Sequence, residues 1–230
     1  MNNNVTLKQF GNLQADLVEW NNQMYHKHPT PYRGLAGFIE WARVKTVFKF
    51  ARIEPDDTVL EIGCEAGNLL HCCPIATRVV GVDISSSALQ EAYRLFKLNK
   101  RHAEFFHLDA QMPLPFRKGE FSVIICSEVL EHVRDPRSVV QNIYDSSTPD
   151  TRIIISIPTE APKIFVKKLL NQCGIFNIFF PGIEKEQSEW HLQTFSKHKL
   201  QSISRDLLHI RKSTVVWLNH YVALMCHKDK

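Results

Sequence analysis

The apolar positions of this chain change their period along its length. Leu13, Leu17 and Trp20 recur at helical spacing, and Phe38, Trp41, Val44, Phe48 and Phe50 do so less regularly. Residues 1 to about 50 are therefore expected to be helical. They are interrupted by a proline-punctuated loop from Tyr25 to Gly34. From Thr58 onward short apolar runs take over. Strands are expected at Thr58–Ile62, Arg78–Val82, Glu104–Leu108, Phe121–Cys126 and Arg152–Ile157. Helices are expected near Asn68, over Ser85–Asn99, from Glu128, and over Pro136–Tyr144, with Ser85 as a natural N-cap. Strands that are apolar on both faces and alternate with helices imply a parallel sheet covered on both sides. Ile203–Val216 and Tyr221–Cys226 are expected to supply the last two strands.

The first two core strands carry the most informative residues. Val59-Leu60-Glu61-Ile62-Gly63-Cys64-Glu65-Ala66-Gly67 reads as strand and glycine turn, and Val79-Val80-Gly81-Val82-Asp83 as a second strand ending in an acid. A nucleotide-like cofactor needs this combination. Glycines let its polar groups approach the backbone, and a carboxylate accepts hydrogen bonds from both ribose hydroxyls. A dinucleotide fingerprint starting at Gly63 would need glycines at positions that hold Glu65 and Asn68. An acid in that turn would also oppose a pyrophosphate. S-adenosyl-L-methionine has no phosphate. It offers a sulfonium, an ammonium and a carboxylate, so an acidic turn is tolerable.

Two later segments point the same way. His107-Leu108-Asp109-Ala110 closes the third apolar strand, and Phe121 to Ser127 runs directly into Glu128-Val129-Leu130-Glu131-His132-Val133. With these four segments in this order, the chain resembles the class I S-adenosylmethionine-dependent methyltransferases. The likeness is closest to the small-molecule branch that includes the ubiquinone-biosynthesis enzymes. It covers residues 40 to 160 well and the C-terminal third loosely. The resemblance implies a doubly wound, mostly parallel seven-stranded α/β sheet of the Rossmann-like methyltransferase type, ending in an antiparallel hairpin. It implies one domain over 1–230, with a helical lid at 1–50 and a cofactor-binding core at 51–158. A substrate-cover insertion at 159–196 and C-terminal strands at 197–230 complete it.

The resemblance also implies a cofactor site. Asp83, followed by Ile84, would meet the ribose, and Asp109 with Ala110 the adenine. Gly63, Cys64 and Gly67 would give backbone access to the methionine end, Glu61 would meet the ammonium, and Ser127 would bring a carbonyl near it. Arg43 is a weaker candidate for the cofactor carboxylate than for a solvated or helix-pairing arginine. The family turn usually has a glycine where this chain has Glu65, so that side chain either points to solvent or contacts the ammonium. If the acceptor must lose a proton, His132 and His191 are the expected catalytic residues. His132 is expected on a short helix with Glu128 on the same face, and His191 stands beside Trp190 at the end of the insertion. His26 and His28 are weaker candidates.

Composition narrows the partners. A net charge of +4 is too small to argue for nucleic acid. The residues after the fourth strand, Ser127-Glu128-Val129-Leu130, lack the aromatic signature of base-amino methylation. The six cysteines form no C-x-x-C pair, and His71-Cys72-Cys73 has the wrong geometry for a metal site. Reduced thiols, no metal and a protein that is cytoplasmic or peripheral to a membrane are expected. No signal-like start and no membrane-spanning stretch is visible. The expected function is methyl transfer from S-adenosyl-L-methionine to an O, N or C atom of a small, partly apolar or lipid-like acceptor. The alternative is a non-catalytic cofactor-binding subunit with the same fold.

The insertion suggests where a membrane could be touched. Lys163, Lys167 and Lys168 precede Ile175, Phe176, Ile178, Phe179 and Phe180, and such a cluster rarely stays exposed. It could pack on the core, meet a second copy, close over a lipid-like acceptor, or enter a bilayer interface. If 163–182 contacts membrane, co-sedimentation with anionic vesicles should be lost in the double substitution Phe179→Ser/Phe180→Ser with the fold intact. Absence of vesicle binding by the unaltered protein, with turnover of a fully water-soluble acceptor, assigns the segment to core or interface.

Overall fold

A computed structural model describes residues 5–11, 13–27, 34–74, 77–159, 192–217 and 220–228. In chain order the elements are β1 (Val5–Gln9), α1 (Ala15–Lys27), α2 (Gly34–Ala51), β2 (Thr58–Ile62), α3 (Asn68–His71), β3 (Arg78–Asp83), α4 (Ser86–Leu98) and β4 (Ala103–His107). They continue with β5 (Val123–Ser127), α5 (Pro136–Ser146), β6 (Arg152–Pro158), α6 (Lys197–Ser204), β7 (Leu208–Val216) and β8 (His220–His227). Residues 160–191 of the expected substrate cover, including 163–182, Trp190 and His191, lie outside the described residues, as does His28 in the proline-punctuated loop.

The eight strands form one sheet in the order β1-β4-β3-β2-β5-β6-β8-β7. Six are parallel, and β8 returns antiparallel between β6 and β7. The doubly wound sheet with its C-terminal hairpin is as expected. The strand count is eight rather than seven, because Val5–Gln9 is not part of a helical lid. Its alternating residues have the two-residue period of a strand, and they pair in register with Ala103–His107. The described helices of residues 1–51 are thus α1 and α2.

Side-chain alternation sorts the core into two layers. Leu60 and Ile62, Ile124 and Cys126, Ile153, Ile155 and Ile157, and Tyr221, Ala223 and Met225 face one way, onto Val139, Val140 and Ile143 of α5 and Leu200 of α6. Val59, Val123, Ile125, Ile154 and Val222 face the other way, onto Val47 and Phe50 of α2, Leu69 and Leu70 of α3, and Leu89, Ala92 and Phe96 of α4. Phe96 and Phe105, both fully buried, meet edge to face with centroids 5.3 Å apart.

Caps set the helix boundaries. The Ser85 hydroxyl accepts from the Ala88 amide, as expected for an N-cap. Asp135 caps α5 by accepting from the amides of Arg137 and Ser138. Three expectations change. The fourth core strand starts at Val123, because Ser122 turns back to exchange hydrogen bonds with Thr58. Ile203 belongs to a helix, α6, that Ser196 caps by accepting from the Lys199 amide, and the strand begins at Leu208. No helix starts at Glu128. Its φ of 56° is left-handed, and a turn leads from there to α5.

The ring of Phe105 anchors the middle of one layer. Phe105→Ala should lower stability by roughly 3–5 kcal/mol, read as a lower urea midpoint with an unchanged slope.

Candidate active site

The carboxyl ends of the parallel strands carry the candidate residues together at one edge of the sheet. The turn after β2 is fixed by close approach. The amides of Gly63 and Cys64 both donate to the Val82 carbonyl, at 2.8 and 3.0 Å. Gly63 has φ 72°, and a Cβ there would lie 2.3 Å from Cγ2 of Val129. Gly67, φ 73°, would place a Cβ 2.9 Å from the Phe96 ring. Both positions need glycine on two counts.

Glu65 takes the left-handed conformation usually left to glycine, at φ 45°. The same twist turns its amide onto Asp83 Oδ2 at 2.9 Å. Oδ1 of Asp83 accepts from the Ser85 amide at 2.8 Å. One carboxylate therefore ties the turn after β2 to the start of α4. Burial raises the Asp83 pKa, and the backbone amides of Ser85, Glu65 and Ile84 oppose that rise. Each carboxylate oxygen retains lone-pair capacity beyond these bonds.

Glu61 lies near the end of β2 and is buried. Burial pushes its carboxyl well above the usual range. Arg43 pulls the other way, Glu65 and Asp83 reinforce the rise, and the Leu70 amide helps hold the charge. Its Oε2 is buried without a hydrogen-bond partner among the described residues. Glu61, Glu65 and Asp83 thus gather around one turn, and together with burial they also push up the Cys64 thiol. Such a site favours a cation and opposes an anion. These residues fit S-adenosyl-L-methionine, whose ammonium and sulfonium are positive, and they do not suit a pyrophosphate.

The loop expected to meet the adenine is also held in place. Asp109 Oδ1 accepts from the Gln111 amide at 2.9 Å, and the Gln111 side chain donates to both of its oxygens. Asn142 of α5 donates to the carbonyls of Ala110 and Met112 at 2.8 Å each, which holds this loop against the sheet. The Ile84 carbonyl lies 3.0 Å from Nε2 of His107.

A family model described as a methyltransferase domain matches residues 38–209. The chain belongs to that family. The S-adenosylmethionine-dependent methyltransferase class expected from the sequence follows from this membership. A ubiquinone biosynthesis O-methyltransferase of Albidiferax ferrireducens is 26% identical over 66% of this chain and 61% of its own length. One of Pseudomonas paraeruginosa is 31% identical over 47% of each. The chain thus spans about half to three fifths of the length of these relatives. A solved magnesium protoporphyrin IX methyltransferase of Synechocystis, with bound S-adenosylhomocysteine, shares the fold with a TM-score of 0.62. It is 16% identical, over 91% of this chain and 94% of that one.

Within this methyltransferase domain, α1 adds residues the sequence did not single out. The Asn22 carbonyl oxygen accepts from the Ser85 hydroxyl at 2.9 Å and the Ser87 amide at 3.1 Å, and its amide nitrogen donates to the Ser86 hydroxyl at 3.1 Å. Helix α1 is therefore bolted to the residues that follow Asp83. Burial raises the Tyr25 phenol, and Glu91, Glu65 and Asp83 add to it, which places Tyr25 in the same electrostatic neighbourhood.

A second polar group lies on the α2 face. Arg43, fully within the protein, pairs with Glu40 and donates to the Ser127 hydroxyl. Burial opposes its charge, but Glu40 outweighs that and raises its pKa further. The guanidinium is engaged by the protein itself, so Arg43 is not placed as the cofactor-carboxylate ligand. Ser127 bonds to Ser156 at 2.8 Å, Ser156 donates to Glu128 Oε1 at 2.8 Å, and Glu128 Oε2 meets Nδ1 of His220 at 2.9 Å. Neither Ser156 nor His220 was signalled by any motif. Only the strand parity that puts them on the α2 face could have linked them to Glu128.

His132 is not on a helix with Glu128, because the left-handed backbone at 128 sends the two side chains apart. Its Nε2 lies 3.8 Å from Oε1 of Glu131. His191 lies outside the described residues. The amides of the adjacent Leu192 and Gln193 donate to the Glu131 carbonyl at 2.9 and 3.2 Å, so the end of the insertion lies beside His132. Among the described residues no group of three or more His, Cys, Asp or Glu side chains is arranged to hold a metal. The described cysteines, all but Cys173, are free thiols. No described helix is long and apolar enough to cross a membrane.

Burial works to raise the Glu128 carboxyl, but His220 and then Arg43 bring it down to about 2, from an ordinary 4.5. A depressed carboxylate stabilises the fold above its ordinary pKa, and that stability is lost as pH falls towards the lowered value. Glu128→Gln should therefore destabilise the protein at pH 7 by about 3 kcal/mol. The difference should shrink as pH falls from 4.5 to about 2 in thermal melts across that range.

Proposed function

We propose that this chain transfers a methyl group from S-adenosyl-L-methionine to a hydroxyl oxygen of a small, partly apolar acceptor such as an alkylated phenol or catechol. The observation that carries the cofactor is the gathering of Glu61, Glu65 and Asp83 around the Gly63 turn, with Oε2 of Glu61 buried and unpartnered among the described residues. The relatives named as ubiquinone biosynthesis O-methyltransferases support oxygen as the acceptor atom and a lipid-like tail on the acceptor.

In this reading the domain covers 1–230. Asp83 and the Ile84 backbone hold the ribose, and Asp109 and Ala110 the adenine edge. Gly63, Cys64 and Gly67 admit the methionine end, and Glu61, with the Ser127 carbonyl, faces the ammonium. The cofactor supplies a methyl group already activated by its sulfonium. What remains for the protein is to orient the acceptor oxygen, exclude water and accept a proton. In the same reading His132 and His191 meet the acceptor, with 160–191 as its cover. Peripheral membrane contact through 163–182 belongs to the same reading, because a lipid-like acceptor would be delivered from a bilayer.

The backbone at Glu65 supports an active enzyme over a non-catalytic subunit. It adopts the glycine-like conformation, and its amide serves Asp83, so the turn keeps its shape despite the substitution.

Titration calorimetry with S-adenosylhomocysteine tests the site. Asp83→Ala removes a charged hydrogen-bond acceptor worth about 1.5–3 kcal/mol per bond. Its affinity should fall by at least ~10-fold while the variant remains folded by circular dichroism. Equal affinity in the two proteins refutes the ribose assignment, and tight NAD binding without S-adenosylhomocysteine binding refutes the function.

A further inference from the structure

His220 is the first residue of β8, paired opposite Pro158 at the end of β6. Because β8 runs antiparallel, its first residue lies at the edge where the parallel strands end. That is the edge that carries Gly63, Asp83 and Ser127. The ring is 8% exposed. Its Nδ1 is 2.9 Å from Oε2 of Glu128, whose other oxygen accepts from Ser156 at 2.8 Å.

Glu128 is held in this pose from both ends. Its amide donates to the Ser156 carbonyl at 3.1 Å, and its backbone takes the left-handed conformation at φ 56°. That conformation costs about 1–3 kcal/mol for a residue with a Cβ, so its surroundings must impose it. The result is a carboxylate aimed at an imidazole rather than along the turn to His132. A carboxylate on Nδ1 fixes the tautomer with the proton on that nitrogen and makes Nε2 the basic one.

We propose that the Glu128–His220 pair removes the proton of the acceptor hydroxyl, with His220 as the base and Glu128 as its positioning residue. The O–H bond of the acceptor breaks, and its electron pair stays on oxygen, the atom to be methylated. A new N–H bond forms at Nε2. Glu128 offsets the positive charge of the imidazolium, and the proton passes afterwards to water. This assignment rests on the O-methyltransferase reading above.

The charged and titratable groups around His220 support that direction. Glu128 faces it from the turn after β5. From α2, Arg43 binds Ser127 and pairs with Glu40, so its charge is shared before it reaches the imidazole. Glu61 of β2 lies beyond Arg43. On β7 the ammonium of Lys212 lies over the Phe50 ring, opposite Leu224 and so further down the strand.

The test uses the full chain saturated with S-adenosylhomocysteine and the probe 4-nitrocatechol, whose absorbance moves to the red on ionisation. The unaltered protein should bind the probe ionised at a pH where the free probe is mostly neutral. His220→Asn keeps a donor near the Nδ1 position for Glu128, which protects the fold, and lacks Nε2. It should bind the probe neutral and lose roughly 100-fold in methyl transfer, with affinity for S-adenosylhomocysteine within about threefold. His132→Gln should retain the spectral shift. Glu128→Gln serves as the second variant and should weaken the shift without abolishing probe binding.

A shift that survives in His220→Asn, or one that disappears only in His132→Gln, overturns the assignment. So does a probe that the unaltered protein binds without ionising. In those cases S-adenosylhomocysteine still binds and the methyltransferase reading stands. Failure to bind S-adenosylhomocysteine at all removes both.

Discussion

A single buried guanidinium, Arg43, lies where helix α2, the sheet and the candidate site meet. It pairs with Glu40 on its own helix and reaches the Ser127 hydroxyl at the end of β5. From there the polar contacts pass through Ser156 to Glu128 and His220. A charge so enclosed is tolerable only with partners on every side. Removing one member would strand the others, so α2, β5, β6 and β8 are held in one relative geometry. Glu61 stands at the near end of the same set, where Arg43 opposes the rise that burial imposes on its carboxyl.

The turn after β2 obeys a complementary rule. There acids gather, and among the described residues backbone amides carry much of the load. Asp83 is held by the amides of Glu65 and Ser85, and Asn22 reaches across from α1 to the hydroxyls and amide that follow. One half of the sheet edge is thus knit by side-chain hydrogen bonds, and the other half places acids around a turn made of backbone. In the proposed reaction the first would handle a proton and the second would receive a cationic ligand.

Much of this was legible from residues alone. Apolar strand runs and the helices between them gave the doubly wound sheet, and Ser85 gave its own cap. Gly63, Gly67, Asp83 and Asp109 stand at the turns that their spacing implied. What failed were local periods read in isolation. Val5–Gln9 alternates over only five residues, too few to stand out from the helical pattern that follows, and its pairing with β4 is what identifies it as a strand. Glu128 and His132 are four apart, which suggests one helical face, but the backbone reverses its hand at Glu128. The acid turns instead to His220, ninety-two residues away, and a separation of that kind leaves no trace in local pattern. Arg43 was expected to be solvated or to pair along its helix; the helix pair with Glu40 is formed, but the partners that bury it, Ser127 and Ser156, come from two distant strands.

The outermost strand has a consequence for how the chain reaches this shape. Val5 pairs with Ala103, so this strand finds its neighbour only after roughly a hundred further residues have been made. At about 5–20 residues per second, that is a wait on the order of five to twenty seconds. Through that interval the segment is an unpaired strand with a free edge, the kind of surface that invites mispairing with other chains. Lys8 faces that hazard with a charge and later pairs with Glu104 once β4 is in place. The sheet therefore closes at this border by recruiting a piece of chain that was waiting, and its docking is a late event of biogenesis rather than a seed for it.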